Sequence, residues 1–372
     1  MFRVLILLTV LFSLDSYAAL DSDVFKIESL LREGDLKQAK VLLDSKKLDK
    51  KVFYKLSGRL ASLNGDSKKA IGFYKKAVSL GSQSDSLKLM LSQAILKEDG
   101  AKIIDALKYL EMIKEDSIQK DLLYAQGLWQ QNQKNEAVIY LSDLKSRKYV
   151  SYDLIERQKS YYLFEMSKIA QIFKNTKKYY KNENAGPEVG LYVVSLLKEK
   201  DSHIAESYFD LLLTLRPLNA LFLKERGVFE LEKGRTFLAS MFFEKAAHLD
   251  EKYSYEAAAS HLSLGNHTQA KFFNSKVSDD KKRVMQLFSV HLDSEDYESA
   301  LSLKLSLEKT GLLSEDRVVY ALMYTAFKVK DYSTFNRLFY KITSKAYVAK
   351  VLRLKTFVEA CKKSMEPSCV FS

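Results

Sequence analysis

Residues 306–311, Ser-Leu-Glu-Lys-Thr-Gly, hold the nearest approach to a catalytic signature in the chain. Ser306 and Lys309 form S-x-x-K, in which a lysine amine beside a serine could take its proton, and Lys309, Thr310 and Gly311 form K-T-G. Together these belong to serine acyl-transfer sites. Here they share Lys309, so one lysine would have to fill two places that belong to separate elements, and S-D-N is absent. S-x-x-K also recurs at Ser117/Lys120, Ser142/Lys145 and Ser195/Lys198, as expected in a lysine-rich chain. Gly311 reads better as a helix C-cap, and the enzyme reading is set aside. H-E-x-x-H, G-x-S-x-G, a phosphate loop and G-x-G-x-x-G are all missing.

The other chemistry-bearing residues are scattered. His203, His248, His261, His267 and His291 fall in separate turns or helices, and His261 and His267 are six apart, off a shared helical face. No metal site and no cofactor are expected. Cys361 and Cys369, separated by KKSMEPS, have no nearby histidine; in an oxidising compartment they form a disulfide tying the tail to the last helix. A loop that short contributes about 2–3 kcal/mol at most on the chain-entropy model. Between residues 149 and 187 aromatics crowd the chain, and Lys177–Lys181 (KKYYK) could stack bases or sugars. Aromatics at helical spacing are more often core, which is the reading preferred here.

The elements that must position these residues are helices. Ala220–Leu249 reads as two amphipathic helices reversed at Lys233-Gly234, with Leu223, Gly227 and Leu231 on one face and Ala239, Phe242, Phe243, Ala246 and Leu249 on the other helix. Gly227 and Ala239 let the two backbones approach closely, Phe243 fills the wedge beside them, and Gly234 takes the reversal. The spacing seven, five, four and three from Gly227 to Gly234, Ala239, Phe243 and Ala246 returns in Gly58, Gly65, Ala70, Tyr74 and Ala77, and in Ala258, Gly265 and Ala270. Ala205 and Phe209 keep the alanine-to-aromatic step, with Pro217 eight residues on, and half-matches stand at Gly34/Ala39, Gly127/Ala137 and Glu295/Ala300. Alanine markers at 39, 70, 106, 137, 205, 239, 270 and 300 lie mostly 30 to 36 apart, with one gap of 68 in which a repeat has drifted.

These segments resemble tetratricopeptide repeats, whose pattern is a small residue, a turn glycine, A-x3-F and a closing proline; the family's tryptophan is missing, and Trp129 sits elsewhere. The resemblance covers most of residues 22–345. It implies an all-α fold, an α-solenoid of about ten antiparallel helix pairs with a single C-terminal capping helix over residues 346–363. It also implies that first helices line a concave face for an extended peptide or helix. The side chains so placed are Lys55, Arg59, Tyr124, Leu128, Lys224, Leu231, Tyr255 and Leu262. The asparagines with which some members clamp a terminal carboxylate are absent.

Domain organisation follows from the same rhythm. Residues 1–18 carry a basic residue, the apolar core VLILLTVLF and Ser16-Tyr17-Ala18, the pattern of a secretory signal peptide cut after Ala18. The apolar run is too short for a membrane span, which needs about 20 residues. N-terminal repeats occupy 19–148, an irregular aromatic-rich segment 149–187, and C-terminal repeats 188–345; the capping helix and cysteine-containing tail follow at 346–372. Within 149–187 the absence of a turn signal from Tyr152 to Phe173 predicts one long helix, then a shorter one and a loop at 182–187. The turn near 131–135 is expected to be two residues tighter than the others.

The chain has 372 residues, 28% charged and 47% hydrophobic, with a net charge of +12. Only 12 of its 59 cations are arginine. Export and the scarcity of arginine both argue against nucleic acid. The sequence thus points to a periplasmic or secreted scaffold that binds a partner protein or peptide. The rival reading is a binder of an anionic envelope polymer or lipid surface through Lys and Tyr faces, whose affinity would fall steeply with salt.

Overall fold

A computed structural model describes residues 22–98, 102–144 and 152–364, apart from the side chains of residues 357 and 360–364. The expected signal peptide, the Cys361 side chain and all of Cys369 lie outside the described residues. Every regular element described is helical, and the chain divides into two compact units, residues 1–172 and 173–372.

The first unit holds α1 (Ser22–Glu33), α2 (Leu36–Ser45), α3 (Lys50–Leu63), α4 (Ser67–Ser79), α5 (Asp85–Lys97), α6 (Ile103–Glu111), α7 (Ile118–Gln130), α8 (Lys134–Asp143) and α9 (Asp153–Glu165). The division falls within α10 (Ile169–Tyr179). The second unit continues with α11 (Pro187–Lys200), α12 (Ser202–Leu215), α13 (Ala220–Glu232), α14 (Thr236–Leu249), α15 (Ser254–Ser263), α16 (His267–Asn274), α17 (Asp280–Asp293), α18 (Tyr297–Ser302), α19 (Lys304–Lys309), α20 (Asp316–Lys328), α21 (Tyr332–Phe339) and α22 (Lys345–Ser364). Consecutive helices pack as pairs, α1 on α2, α3 on α4, α5 on α6, α7 on α8, α11 on α12, α13 on α14, α15 on α16, α17 on α18 and α20 on α21, and first helices also touch first helices of the next pair, as α1 does α3 and α15 does α17. This is an α-solenoid architecture of ten helix pairs in chain order among the described residues, with the short α19 following α18 in the ninth and α22 packed on α20 after the last of them.

One positional rule runs through the pairs. A buried residue on the first helix is followed seven places on by a residue in the left-handed region, and twelve places on by a buried residue of the second helix. Ile27/Gly34/Ala39, Gly58/Gly65/Ala70, Gly227/Gly234/Ala239 and Ala258/Gly265/Ala270 obey it with a turn glycine. Ala125/Asn132/Ala137, Ser160/Ser167/Ile172, Phe288/Glu295/Ala300 and Met323/Lys330/Phe335 obey it without one; their turn residues have φ of 64°, 56°, 55° and 62°. In these eight pairs the reversal takes positive φ whatever residue stands there, whereas α11 and α12 reverse at Asp201 with φ of −159°. An aspartate often follows it. Asp35, Asp66, Asp296 and Asp331 each accept the backbone N–H three residues on and so cap the second helix.

The rule corrects three expectations and fills the gap in the marker series. Ser167 breaks the single long helix expected from Tyr152 to Phe173 into α9 and α10, because it takes the left-handed turn that the sequence hides under a serine. Ile172 is the marker lost in the gap between 137 and 205. The small residue of the fourth pair is Ala125, not Gly127, so its turn of three residues is no tighter than that at 64–66 or 233–235. Gly127 instead faces the preceding pair: a Cβ there would meet Leu107 Cδ2 at 2.5 Å and Leu96 Cδ2 at 3.7 Å.

In α13 and α14 the close approach also differs in partner. The atoms nearest a Cβ on Gly227 all belong to the Phe243 ring, so glycine makes room for the ring rather than for Ala239. Leu231 and Leu249 are exposed, not buried with the rest of their stripes. The two tyrosines of KKYYK are core, and its lysines are exposed. Tyr179 and Tyr180 are buried, Tyr180 Oη accepts from the Gly190 amide (3.1 Å) and donates to the Gly186 carbonyl (3.1 Å), and Arg216 Nη2 donates to the Asn182 carbonyl (2.7 Å). These bonds seat the 182–187 loop onto α11 and α12.

Candidate partner-binding face

The eight side chains that the sequence places on first helices divide by what they touch. On α3, Lys55 and Arg59 are half-buried, and Arg59 faces Glu28, Arg32 and Tyr74; burial lowers its guanidinium below the usual value, with Glu28 opposing. On α7, Tyr124 donates to Glu111 Oε1 (3.1 Å) and lies 4.9 Å from the Tyr140 ring, while Leu128 packs on the core. Lys224 on α13 pairs with Glu225 at 2.8 Å. Leu231, 43% exposed, and Tyr255 on α15, 38% exposed, are the open ones; Lys282 of α17 stands 5.6 Å over the Tyr255 ring. Leu262 is half-buried. Each pair of residues shares a helix.

Sequence reasoning missed a strip along α20. Tyr320, Tyr324 and Lys328 recur every four residues and so climb one face. Tyr347 of α22 lies 5.6 Å from Tyr320, and Tyr297 of α18 lies 6.0 Å from Tyr324, edge-on. Lys328 stands over Tyr297 (5.4 Å) and Tyr324 (5.7 Å); Lys350 stands over Tyr347 (5.4 Å) and Tyr320 (6.0 Å). Burial, with Tyr324 and Glu295 nearby, raises the Tyr297 phenol above its usual range. Four rings and two ammonium groups thus form one half-exposed patch. The signal was available as a four-residue period in α20, but its completion by α18 and α22 depends on tertiary packing.

Two partly buried polar systems hold helices together and are also invisible to periodicity. In the first, glutamines of one first helix reach back to carbonyls of the previous one: Gln130 Nε2 to Leu96 O (2.8 Å), Gln158 Nε2 to Leu122 O (3.0 Å) and Gln286 Nε2 to Tyr255 O (3.0 Å). In the second, fully buried Glu230 pairs with Arg226 Nε (2.9 Å) and with Arg235, while Glu206 of α12 takes Arg235 Nη2 (2.8 Å), Arg226 Nη2 (3.2 Å) and Lys233 Nζ (2.5 Å). The Lys233 hydrogen bond, then Arg235, holds the Glu206 carboxyl down to about 2 against the opposing effect of burial. The Arg226 guanidinium also lies 5.7, 5.4 and 5.6 Å from the rings of Phe209, Phe229 and Phe242. This network clasps α12, α13 and α14.

Four of the five histidines meet a carboxylate. His248 and His261, expected in unrelated places, converge on Glu244, at 3.6 and 3.2 Å, with the Phe273 ring beside both. His267 meets Asp293 at 2.8 Å and His291 meets Asp296 at 3.0 Å. Among the described residues no three His, Cys, Asp or Glu side chains come together to hold a metal. Gly311 has φ of 73° just beyond α19, the C-cap its sequence suggested. No described helix is long and apolar enough to cross a membrane.

No family model and no curated protein matches the chain. Among solved structures it is similar to the one titled "Crystal structure of APC/C hetero-tetramer Cut9-Hcn1". That match has 15% identity, 90% of this chain and 74% of that chain covered, and a TM-score of 0.33. The fold assignment rests on the helix pairs themselves.

Proposed function

We propose that this protein is a non-enzymatic scaffold of the cell envelope, exported by its N-terminal segment, that binds a partner protein or peptide on its first-helix faces. The observation that carries this reading is repetition. Pair after pair spends its polar chemistry on holding neighbours, as the glutamine ladder and the Glu206–Arg226–Glu230 network do, while first helices keep part-exposed Lys and Tyr side chains such as Lys55, Tyr255, Tyr320 and Tyr324. Surfaces so built suit extended, multipoint contact with a chain rather than enclosure of a small substrate.

The test is affinity purification of the tagged full chain from an envelope fraction, with photo-reactive side chains replacing Leu231 and Tyr255 in separate variants. The expected result is a covalent adduct with a discrete protein at one or both positions. Recovery of acidic polymer alone, with no protein adduct, overturns the reading in favour of a polymer binder.

A further inference from the structure

We propose that the α20–α22 face seats an acidic polypeptide segment, with Lys328 and Lys350 receiving its Asp and Glu side chains; this rests on the scaffold reading and names the class of partner.

Charge supplies the first argument. Residues 301–364 carry 13 Lys and Arg against 5 Asp and Glu, a net of +8 in a chain whose total is +12. Four of those five carboxylates are engaged within the fold. Glu308 pairs with Lys341 (3.1 Å), Glu315 with Arg317 (2.8 Å), Asp316 accepts the Thr343 and Ser344 amides, and Asp331 caps α21. The cations therefore outnumber the acids that could neutralise them locally, and the field at this end attracts anions.

Ring geometry supplies the second argument and selects among anions. A nucleobase or a sugar binds an aromatic platform by covering a ring face. Here the lysine ammonium groups already stand over the rings at 5.4–6.0 Å, and the rings also pack on one another, Tyr320 with Tyr347 and Tyr324 with Tyr297. A carboxylate needs no ring face. It approaches the ammonium from the solvent side and can accept from a phenol O–H as well, leaving the cation–π contact intact. Along α20 the rise from Tyr320 to Lys328 is about 12 Å, matched by roughly four residues of extended chain. Acidic side chains at alternate positions of such a segment would face the strip.

The full chain would be titrated into a fluorescein-labelled oligoglutamate peptide, with oligothymidylate and phosphatidylglycerol vesicles as competing probes, and binding followed by anisotropy. The expected result is peptide binding that Lys328→Glu with Lys350→Glu weakens about tenfold, since both receiving charges are reversed. Lys245→Glu with Lys271→Glu, which changes net charge equally on α14 and α16, should leave it within about twofold. Tyr320→Leu should weaken it by a smaller factor, because Lys350 loses one of the two rings it stands over and keeps Tyr347. Circular dichroism of each variant establishes that the helices persist. Equal losses in the two double variants, or tighter binding of oligothymidylate or vesicles than of peptide, would overturn the proposal. A protein adduct at Leu231 or Tyr255 that survives both charge reversals, with no peptide binding, would reject this face while leaving the scaffold reading in place.

Discussion

The Phe243 ring lies against Gly227 so closely that a Cβ at that position would stand 2.8 Å from Cε1 and 2.9 Å from Cδ1. Neither group can give way easily: Gly227 is buried on α13 and Phe243 is 2% exposed on α14. Gly58 and the Tyr74 ring repeat the arrangement in α3 and α4, sixteen residues apart in both cases.

Gly227→Ala is therefore expected to overpack this contact and destabilise the second unit by about 1–3 kcal/mol. Phe243→Leu alone should cost a comparable amount by leaving a cavity. The double variant should be markedly more stable than the sum of the two losses, because the leucine no longer occupies the space the new methyl enters. Urea midpoints of the four proteins check this. Simple additivity would mean the two residues do not meet.

The same contact marks how far the sequence could be read. Where the paired positions are filled by glycine, alanine and an aromatic, as in α13 and α14, helix type and turn were legible, while packing was legible only in part, since Gly227 meets Phe243 rather than Ala239 and Leu231 and Leu249 are exposed. Where Ser167, Glu295 or Lys330 takes the left-handed turn, the geometry is kept but the residue that advertises it is gone, so α9 and α10 looked like one helix and Ile172 went unseen. Candidate site residues fared unevenly for a related reason. Helical period places Tyr124 and Tyr255 on first helices, but only packing decides that Tyr124 bonds Glu111 while Tyr255 stays 38% exposed. The strip on α20 draws on three helices, so no local window contains it.

Turn residues give a second expectation, of opposite sign at different sites. Lys330 and Glu295 hold φ of 62° and 55°, where a β-carbon crowds the backbone. Lys330→Gly and Glu295→Gly should each stabilise by about 0.5–1 kcal/mol, whereas Gly234→Ala, at φ 73°, should destabilise by about 1 kcal/mol. Thermal melts followed at 222 nm read all three. A loss of stability at Lys330→Gly would show that its backbone is not confined to the left-handed region.

The buried ion network yields a third. Glu230 is wholly buried between Arg226 and Arg235. Glu230→Ala removes the shared carboxylate and leaves the buried Arg226 guanidinium with only Glu206 (3.2 Å) and Asp210 (3.4 Å) beside it, which should cost about 3 kcal/mol. Arg226→Met with Glu230→Leu removes the buried pair together while Arg235 keeps Glu206 at 2.8 Å, and should cost far less than Glu230→Ala alone. Chemical denaturation of both variants decides it. If the double variant is the less stable, the network is held by more than compensation of charge.

Acid should find the same network from the other side. Glu206, held to about 2 chiefly by Lys233, and Asp331, held to about 2 chiefly by the Thr334 amide, both ionise more readily in the folded chain than in an unfolded one, where carboxylates titrate near about 4. A depressed carboxylate contributes stability that is fully present above its unfolded pKa and is lost as pH falls through the folded one. Melting temperature should therefore hold nearly level as pH falls from 7 to about 5, then decline between about 4 and 2 as these groups take up protons. In Glu206→Gln the midpoint at neutral pH should be lower and the decline shallower, because one of the carboxylates driving it has been removed. Melts of both proteins across this range provide the measurement. An unchanged acid slope in Glu206→Gln would mean that the clasp on α12, α13 and α14 does not depend on this carboxylate's charge.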